Sequence, residues 1–387
     1  MSATTTHRHW RVWVTVGFAL QGLLGAVVLT NLPGVKERTG IDDSQVALVV
    51  LTVLLSAAAG SLLGGWIAPR RGSGYLLIPA FALQAAAMFF VAAMNLSFLW
   101  LFPFFAMWGF GVGLADAGNG MQGLVVQRIY GRPIMSMFYA FQTAAAIVGA
   151  LLVAAFNGLE KPFGVSFGLA GAAAMFLTVV MRGRFAPDPE VELSEAERPP
   201  LPWRGIVVFG LVIAAVYIGD GVVGTWSSVY LEETLDAVRF VVPLGYAAYQ
   251  ACVLIARLIG DGLVLRIGRR SVVSTAVFVA AGGLVGAALA PSPWLAVLGF
   301  GIAGLGLGIV VPLSFAAAGD LAPKRIDEIV AQLNLFNYFG VVVGSVVAGF
   351  IADSIGQRYA IALPALLVLP ILLAVNAYRT PKAEIPA

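Results

Sequence analysis

Four ionisable residues lie inside long apolar runs of this 387-residue chain: Asp116, Asp220, Arg257 and Asp261. Inserting such a side chain into an apolar span costs about 2.5–3.5 kcal/mol, so it usually faces the inside of a helix bundle and works there. Asp116 is followed by Asn119 and Gln122, and three-residue spacing puts them on one stripe of a helix. That stripe could coordinate a solute, conduct a proton or hydrogen-bond a neighbouring helix. The surrounding glycines (Gly109, Gly111, Gly113, Gly118, Gly120, Gly123) favour close helix contact and the last of these roles. Asp220 stands near the middle of its run, with Trp226 and Ser227 within two turns. A carboxyl in a low-dielectric cavity suits reversible protonation; a hydrogen bond to an adjacent helix is the competing role. Arg257 and Asp261 are four residues apart, which predicts an ion pair on one helix face. Removing either charge would strand the other, so the pair reads as a structural or gating element.

Neutral polar residues recur in the same runs: Gln21, Asn31, Tyr139, Gln142, Tyr249, Asn334 and Asn337. Each alone reads as an interhelical hydrogen bond. With Asn119, Gln122, Trp226 and Ser227 they would line a cavity that is mainly neutral and polar. The aromatic residues Phe104, Phe105, Trp108, Phe138 and Phe141 could instead build an apolar pocket, or face lipid.

The composition says where these runs reside. The chain is 60% hydrophobic and 11% charged, against about 25% charged residues in ordinary globular domains. A water-soluble fold of this length would lack the polar groups to cover its surface, so the runs are read as spans of a bilayer. Twelve are visible, at 10–32, 43–68, 75–95, 98–127, 134–156, 163–181, 204–231, 240–265, 271–290, 293–318, 327–352 and 359–378. The ninth and tenth are separated only by Ala290-Pro291-Ser292-Pro293, which suits a tight turn. The run from Val12 is too long for a signal peptide and lacks a small-residue cleavage site, so it reads as a retained first span.

The same counts exclude several functions. The single cysteine, Cys252, rules out an intramolecular disulfide and a cysteine-cluster metal site. Both histidines, His7 and His9, precede the first span, so neither can relay protons within the membrane. No phosphate-binding Gly-Lys loop appears, and no cofactor or metal is expected. An enzyme is therefore not expected. Nor is a nucleic-acid partner, because the net charge of +3 comes from residues dispersed among loops.

Those loop charges orient the chain. With both termini inside, seventeen Lys and Arg residues fall on the cytoplasmic side and five (Lys36, Arg38, Lys161, Arg239, Arg358) outside. The asymmetry predicts cytoplasmic termini and an even number of spans. The longest polar stretch, Arg182–Arg204, is rich in proline and acid and reads as a linker. It divides the chain into residues 1–185, a cytoplasmic linker 186–203, and residues 204–387, with six spans on each side.

A repeat crosses that linker. The loop after the second span contains Gly65, Arg70, Arg71 and Gly72, and the loop after the eighth contains Arg266 and Gly268. Arg70 with Arg266 and Gly72 with Gly268 share an offset of 196 residues, which also places Gly25 over Gly221 and Asn31 over Ser227. Arginines beside a short glycine turn can bond the last carbonyls of neighbouring helices, where the dipole is negative. Such contacts could hold a gate shut; the simpler reading is positive charge kept on the cytoplasmic side.

The Gly65–Gly72 loop, echoed at Arg266–Gly268, resembles the signature loop of the major facilitator superfamily. That pattern carries Asp just before the first Arg, where this chain has Pro69 and Leu265; Asp261 could substitute in the second half. Asp220–Leu231, Gly131–Ser136 and Arg257–Asp261 further resemble the YbjJ-like branch of bacterial permeases, distantly similar to fucose-permease-type transporters. The resemblance implies an all-α membrane fold of twelve helices in two pseudo-symmetric six-helix bundles, with the first, fourth, seventh and tenth spans lining a central cavity. It would place Asp220 on the substrate path. It further implies alternating-access transport of a small solute, in the cytoplasmic (inner) membrane of a bacterium. Asp220 and Asp116 are expected to couple transport to protons rather than sodium, and the protein to act as a monomer. The fifth span lacks the Gly-Pro step of drug-exporting antiporters, which favours uptake of a neutral polar or weakly charged solute by symport. Proton-coupled efflux of hydrophobic or amphipathic compounds is the alternative.

Overall fold

In hydrocarbon every backbone N–H and C=O must be bonded within the chain, so long apolar runs are forced into helices. The computed structural model describes residues 3–93, 97–131, 134–188, 201–321 and 326–378. Most of the expected linker (189–200) lies outside the described residues. So do Arg132 and Pro133 of the Gly131–Ser136 stretch, and the loop or tail cations Lys324, Arg325, Arg379 and Lys382.

The helices follow the apolar runs closely. The first half contains α1 (Ala3–Thr30), a short α2 (Leu32–Thr39), α3 (Asp43–Arg71), α4 (Gly74–Ala93), α5 (Phe98–Tyr130), α6 (Met135–Gly158) and α7 (Gly164–Val180). The second contains α8 (Trp203–Glu233), α9 (Leu244–Ile267), α10 (Arg269–Ala288), α11 (Pro293–Gly319), α12 (Ile326–Ile355), α13 (Gln357–Val368) and α14 (Ile371–Ala374), with a 3₁₀ turn at Val375–Tyr378. Among the described residues, eleven helical segments are long and apolar enough to cross a membrane, and α7 is a shorter apolar helix. These correspond to the twelve expected spans; the last is interrupted at Leu369-Pro370.

Local chemistry sets the helix ends. Asp42 and Gln45 form a reciprocal capping box that starts α3. Pro293 sits in the first turn of α11, where its missing N–H costs nothing, and so makes the tight turn expected after α10. Gly72 and Gly268 take nearly the same backbone, with φ of 88° and 79°. Both serve as the joint between one span and the next, a conformation that a side chain would oppose.

The structure divides into two compact units, Met1–Glu192 with Ala237–Ala247, and Leu193–Asp236 with Ala248–Ala387. Each is internally packed through glycines that let backbones touch. In the first unit Gly109 meets Val53, Gly113 meets Ala57, Gly111 meets Ala80 and Gly149 meets Leu23. In the second, Gly304 meets Tyr249, Gly308 meets Val253, Gly306 meets Ala276 and Gly344 meets Ile218. Each residue in the second set lies 195 or 196 positions after its counterpart in the first. The offset seen in the loops is thus repeated in the helix contacts inside each unit.

Candidate functional site

In the first unit α1 and α5 carry a chain of polar side chains. Gln21 donates from Nε2 to the Asp116 carboxylate, and its Oε1 accepts from Asn119 Nδ2 at 2.8 Å. Gln21 and Asn119 are buried. The contact requires Gly17, since a Cβ there would lie 2.5 Å from Asn119 Oδ1. That oxygen is buried and has no hydrogen-bond partner among the described residues.

Gln122 does not join this chain. A three-residue step turns a helix by about 300°, so two steps carry the side chain about 120° away from Asp116. Gln122 instead binds the segment that follows α7. Its Nε2 donates to Ser73 Oγ and to the Ala186 carbonyl, both at 2.9 Å, and its Oε1 accepts the Ala186 N–H at 3.0 Å. Asp188 completes the arrangement, accepting from the Ser73 amide at 2.5 Å and its hydroxyl at 2.6 Å. The Ser73 amide lies at the start of α4, where partial positive charge favours a carboxylate. Phe185 packs over Gly74, where a Cβ would meet it at 2.6 Å.

In the second unit Tyr249 Oη donates to Asp220 Oδ1 at 2.8 Å, joining α8 to α9. Tyr249 is fully buried. Asp261, expected to pair with Arg257, is exposed on α9.

Trp226 also departs from its expected place beside Asp220. Six residues rotate it by about 120° from the aspartate, and its Nε1 donates to the Ser345 carbonyl on α12 at 2.8 Å. Thr225 and the Gly221 carbonyl bond the Ser345 hydroxyl from the same side. Ser227, nearly in phase with Asp220, is buried with a hydroxyl that has no partner among the described residues.

The remaining expected residues scatter. Asn31 sits at the break between α1 and α2, donating to the Val27 carbonyl and accepting from Ser166 Oγ on α7. Tyr139 is exposed and stacks edge-on against Phe18. Gln142 is half-buried, and its backbone carbonyl lies against Gly22. Asn334 and Asn337 are half-buried on α12. Arg70 bonds the Trp66 carbonyl of its own helix and lies over the Trp66 ring, while Arg71 reaches Tyr75. These two arginines are thus held locally rather than by the ends of other helices. Gly65 and Arg266 are exposed. Of the aromatic set, Phe104, Phe105, Trp108 and Phe138 are buried in packing and Phe141 is exposed. Among the described residues no group of three or more His, Cys, Asp or Glu could hold a metal.

Ser73, Asp188 and Ser345 carry contacts that spacing did not single out. Ser73 follows a turn glycine and precedes an apolar run, which is a helix-start signal. Asp188 lies between two prolines in a polar stretch, and nothing local marks it.

Residues 209–387 match the sequence profile of the Major Facilitator Superfamily. An uncharacterized MFS-type transporter of Yersinia pestis is 25% identical over 374 residues, covering 95% of each chain. An uncharacterized transporter, y4wD, of Sinorhizobium fredii is 26% identical, covering 90% of this chain and 92% of its own. Among solved structures, a bacterial homolog of the human lysosomal transporter Spinster superposes with a TM-score of 0.78 at 14% identity, covering 95% of both chains. The chain is thus similar in sequence to MFS-type transporters along nearly its whole length, and its fold is that of solved membrane transporters. Both curated relatives are full-length matches whose cargo is not stated in their names.

Proposed function

We propose that the protein is a proton-coupled secondary transporter that takes up a small neutral polar or weakly charged solute by alternating access. Its six-span halves, 1–185 and 204–387, would move about the linker in the bacterial inner membrane, with both termini cytoplasmic. The observation that carries this reading is the pair of intramembrane carboxylates, Asp116 and Asp220, each hydrogen-bonded to a polar residue of a neighbouring span. A carboxyl in that setting can take and release a proton, and each change alters a bond between two helices. Solute contacts would come from the neighbouring polar groups, with Ser227 and Asn119 offering unpartnered oxygens.

Proteoliposomes loaded with a pH-sensitive dye test this directly. Addition of a transported solute from a panel of neutral polar compounds should acidify the interior, and an inward proton gradient should drive accumulation. Asp220→Asn should abolish gradient-driven accumulation. Intact gradient-driven transport in that variant would remove Asp220 from the coupling. Accumulation that follows sodium and ignores protons would overturn proton coupling as a whole.

A further inference from the structure

An apolar groove of about 480 Å³ opens between the first half of α8 and the interrupted last span. Its walls are Val208, Leu211, Val212 and Ala215 on one side and Leu367, Pro370, Leu373 and Ala377 among those on the other. The break at Leu369-Pro370 creates it, because α13 stops and the chain resumes as a short helix and a 3₁₀ turn. Leu211 precedes Asp220 by nine residues and so lies about 180° around α8 from it. The groove is therefore on the opposite side of α8 from the candidate coupling carboxylate.

A cation lies beyond one end of this apolar lining. Arg204, in the first turn of α8, precedes Val208, Leu211 and Ala215 by four, seven and eleven residues, the spacing of a single helical stripe. It is exposed, as is its neighbour Trp203. Tryptophan and arginine at the end of a span mark the level of lipid headgroups. A cation at headgroup level, one helical turn from the nearest lining residue of an apolar groove, matches one kind of amphiphile. The volume lies within the range of about 300–1,000 Å³ typical of ligand sites.

We propose that this groove is a specific lipid site, holding an acyl chain of an anionic phospholipid whose phosphate is paired with Arg204. Native mass spectrometry of the full chain, released from detergent micelles containing equal phosphatidylglycerol and phosphatidylcholine, provides the test. One phosphatidylglycerol should be retained with about a fivefold preference, the size expected of one arginine near a lipid surface. Arg204→Ala should remove the preference while leaving lipid bound. Ala215→Trp, which fills the groove, should lose the retained lipid. Ala377→Trp does the same from an exposed position, and so tests the site even if Ala215→Trp fails to fold. Equal retention by the wild type and both tryptophan variants would show ordinary boundary lipid only and overturn the proposal. A dimer lost in Ala377→Trp with lipid retention unchanged would also overturn it, by making a second copy the occupant.

Discussion

The Tyr249 hydroxyl donates to the Asp220 carboxylate at 2.8 Å, so one contact between α8 and α9 is made to a group that a proton can neutralise. The two substitutions at this bond should behave differently. Asp220→Asn keeps an oxygen that accepts from Tyr249, so thermal stability should change little while proton-driven uptake is lost. Tyr249→Phe leaves the carboxylate without that donor and should cost about 1–3 kcal/mol. Thermal unfolding in detergent, run beside the uptake assay, separates the two effects. A large stability loss in Asp220→Asn would show that the carboxylate is structural.

Gln21 connects Asp116 and Asn119, so its removal should be felt by both. Gln21→Leu is expected to lower the unfolding temperature. In a double-mutant cycle with Asp116→Asn, the coupling energy should fall in the range of roughly 0.5–3 kcal/mol seen for residues in one network. Strict additivity would mean that the two side chains do not act as a unit.

The glycines should divide by what surrounds them. A Cβ at Gly113 would lie 1.8 Å from the Ala57 carbonyl, and one at Gly308 would lie 2.8 Å from the Val253 Cα. Alanine at either position must push two backbones apart and should destabilise by about 1–3 kcal/mol. Gly120 is also helical, yet nothing lies within 4 Å of its added Cβ. Gly120→Ala should be neutral or stabilising by up to ~1 kcal/mol, through helix propensity alone. Thermal unfolding of the three variants reads the sign of each change.

Asp188 and Ser73 share two hydrogen bonds. Asp188→Ala should therefore lower stability by about 1 kcal/mol, the usual cost of losing a helix cap. Adding Ser73→Ala should cost about 1 kcal/mol more, because the Ser73 hydroxyl also accepts from Gln122. Hydrogen exchange should rise at Ser73 and at Ala186 in the single variant. Unchanged exchange at both positions would show that Gln122 alone holds the segment.

The spans, their turns and the 196-residue register were legible in the linear chain. Hydropathy sums over neighbouring residues, and glycine or proline acts on its own backbone, so these features need no distant partner. Even Pro293 as the start of α11, and the matched conformations of Gly72 and Gly268, follow from local chemistry.

The partners of the polar groups were not legible in that way. Spacing alone allowed Gln122 to follow Asp116, Trp226 to follow Asp220, and Arg257 to pair with Asp261. In the folded protein Gln122 holds Ala186, Trp226 binds Ser345, and Asp261 is exposed. Each outcome depends on the rotation of a helix about its axis and on which neighbour comes close. Contacts such as Gly17 on Asn119 and Gly304 on Tyr249 set both, and they join residues 102 and 55 positions apart. A three- or four-residue rule describes one helix; the chemistry of these carboxylates is made between two.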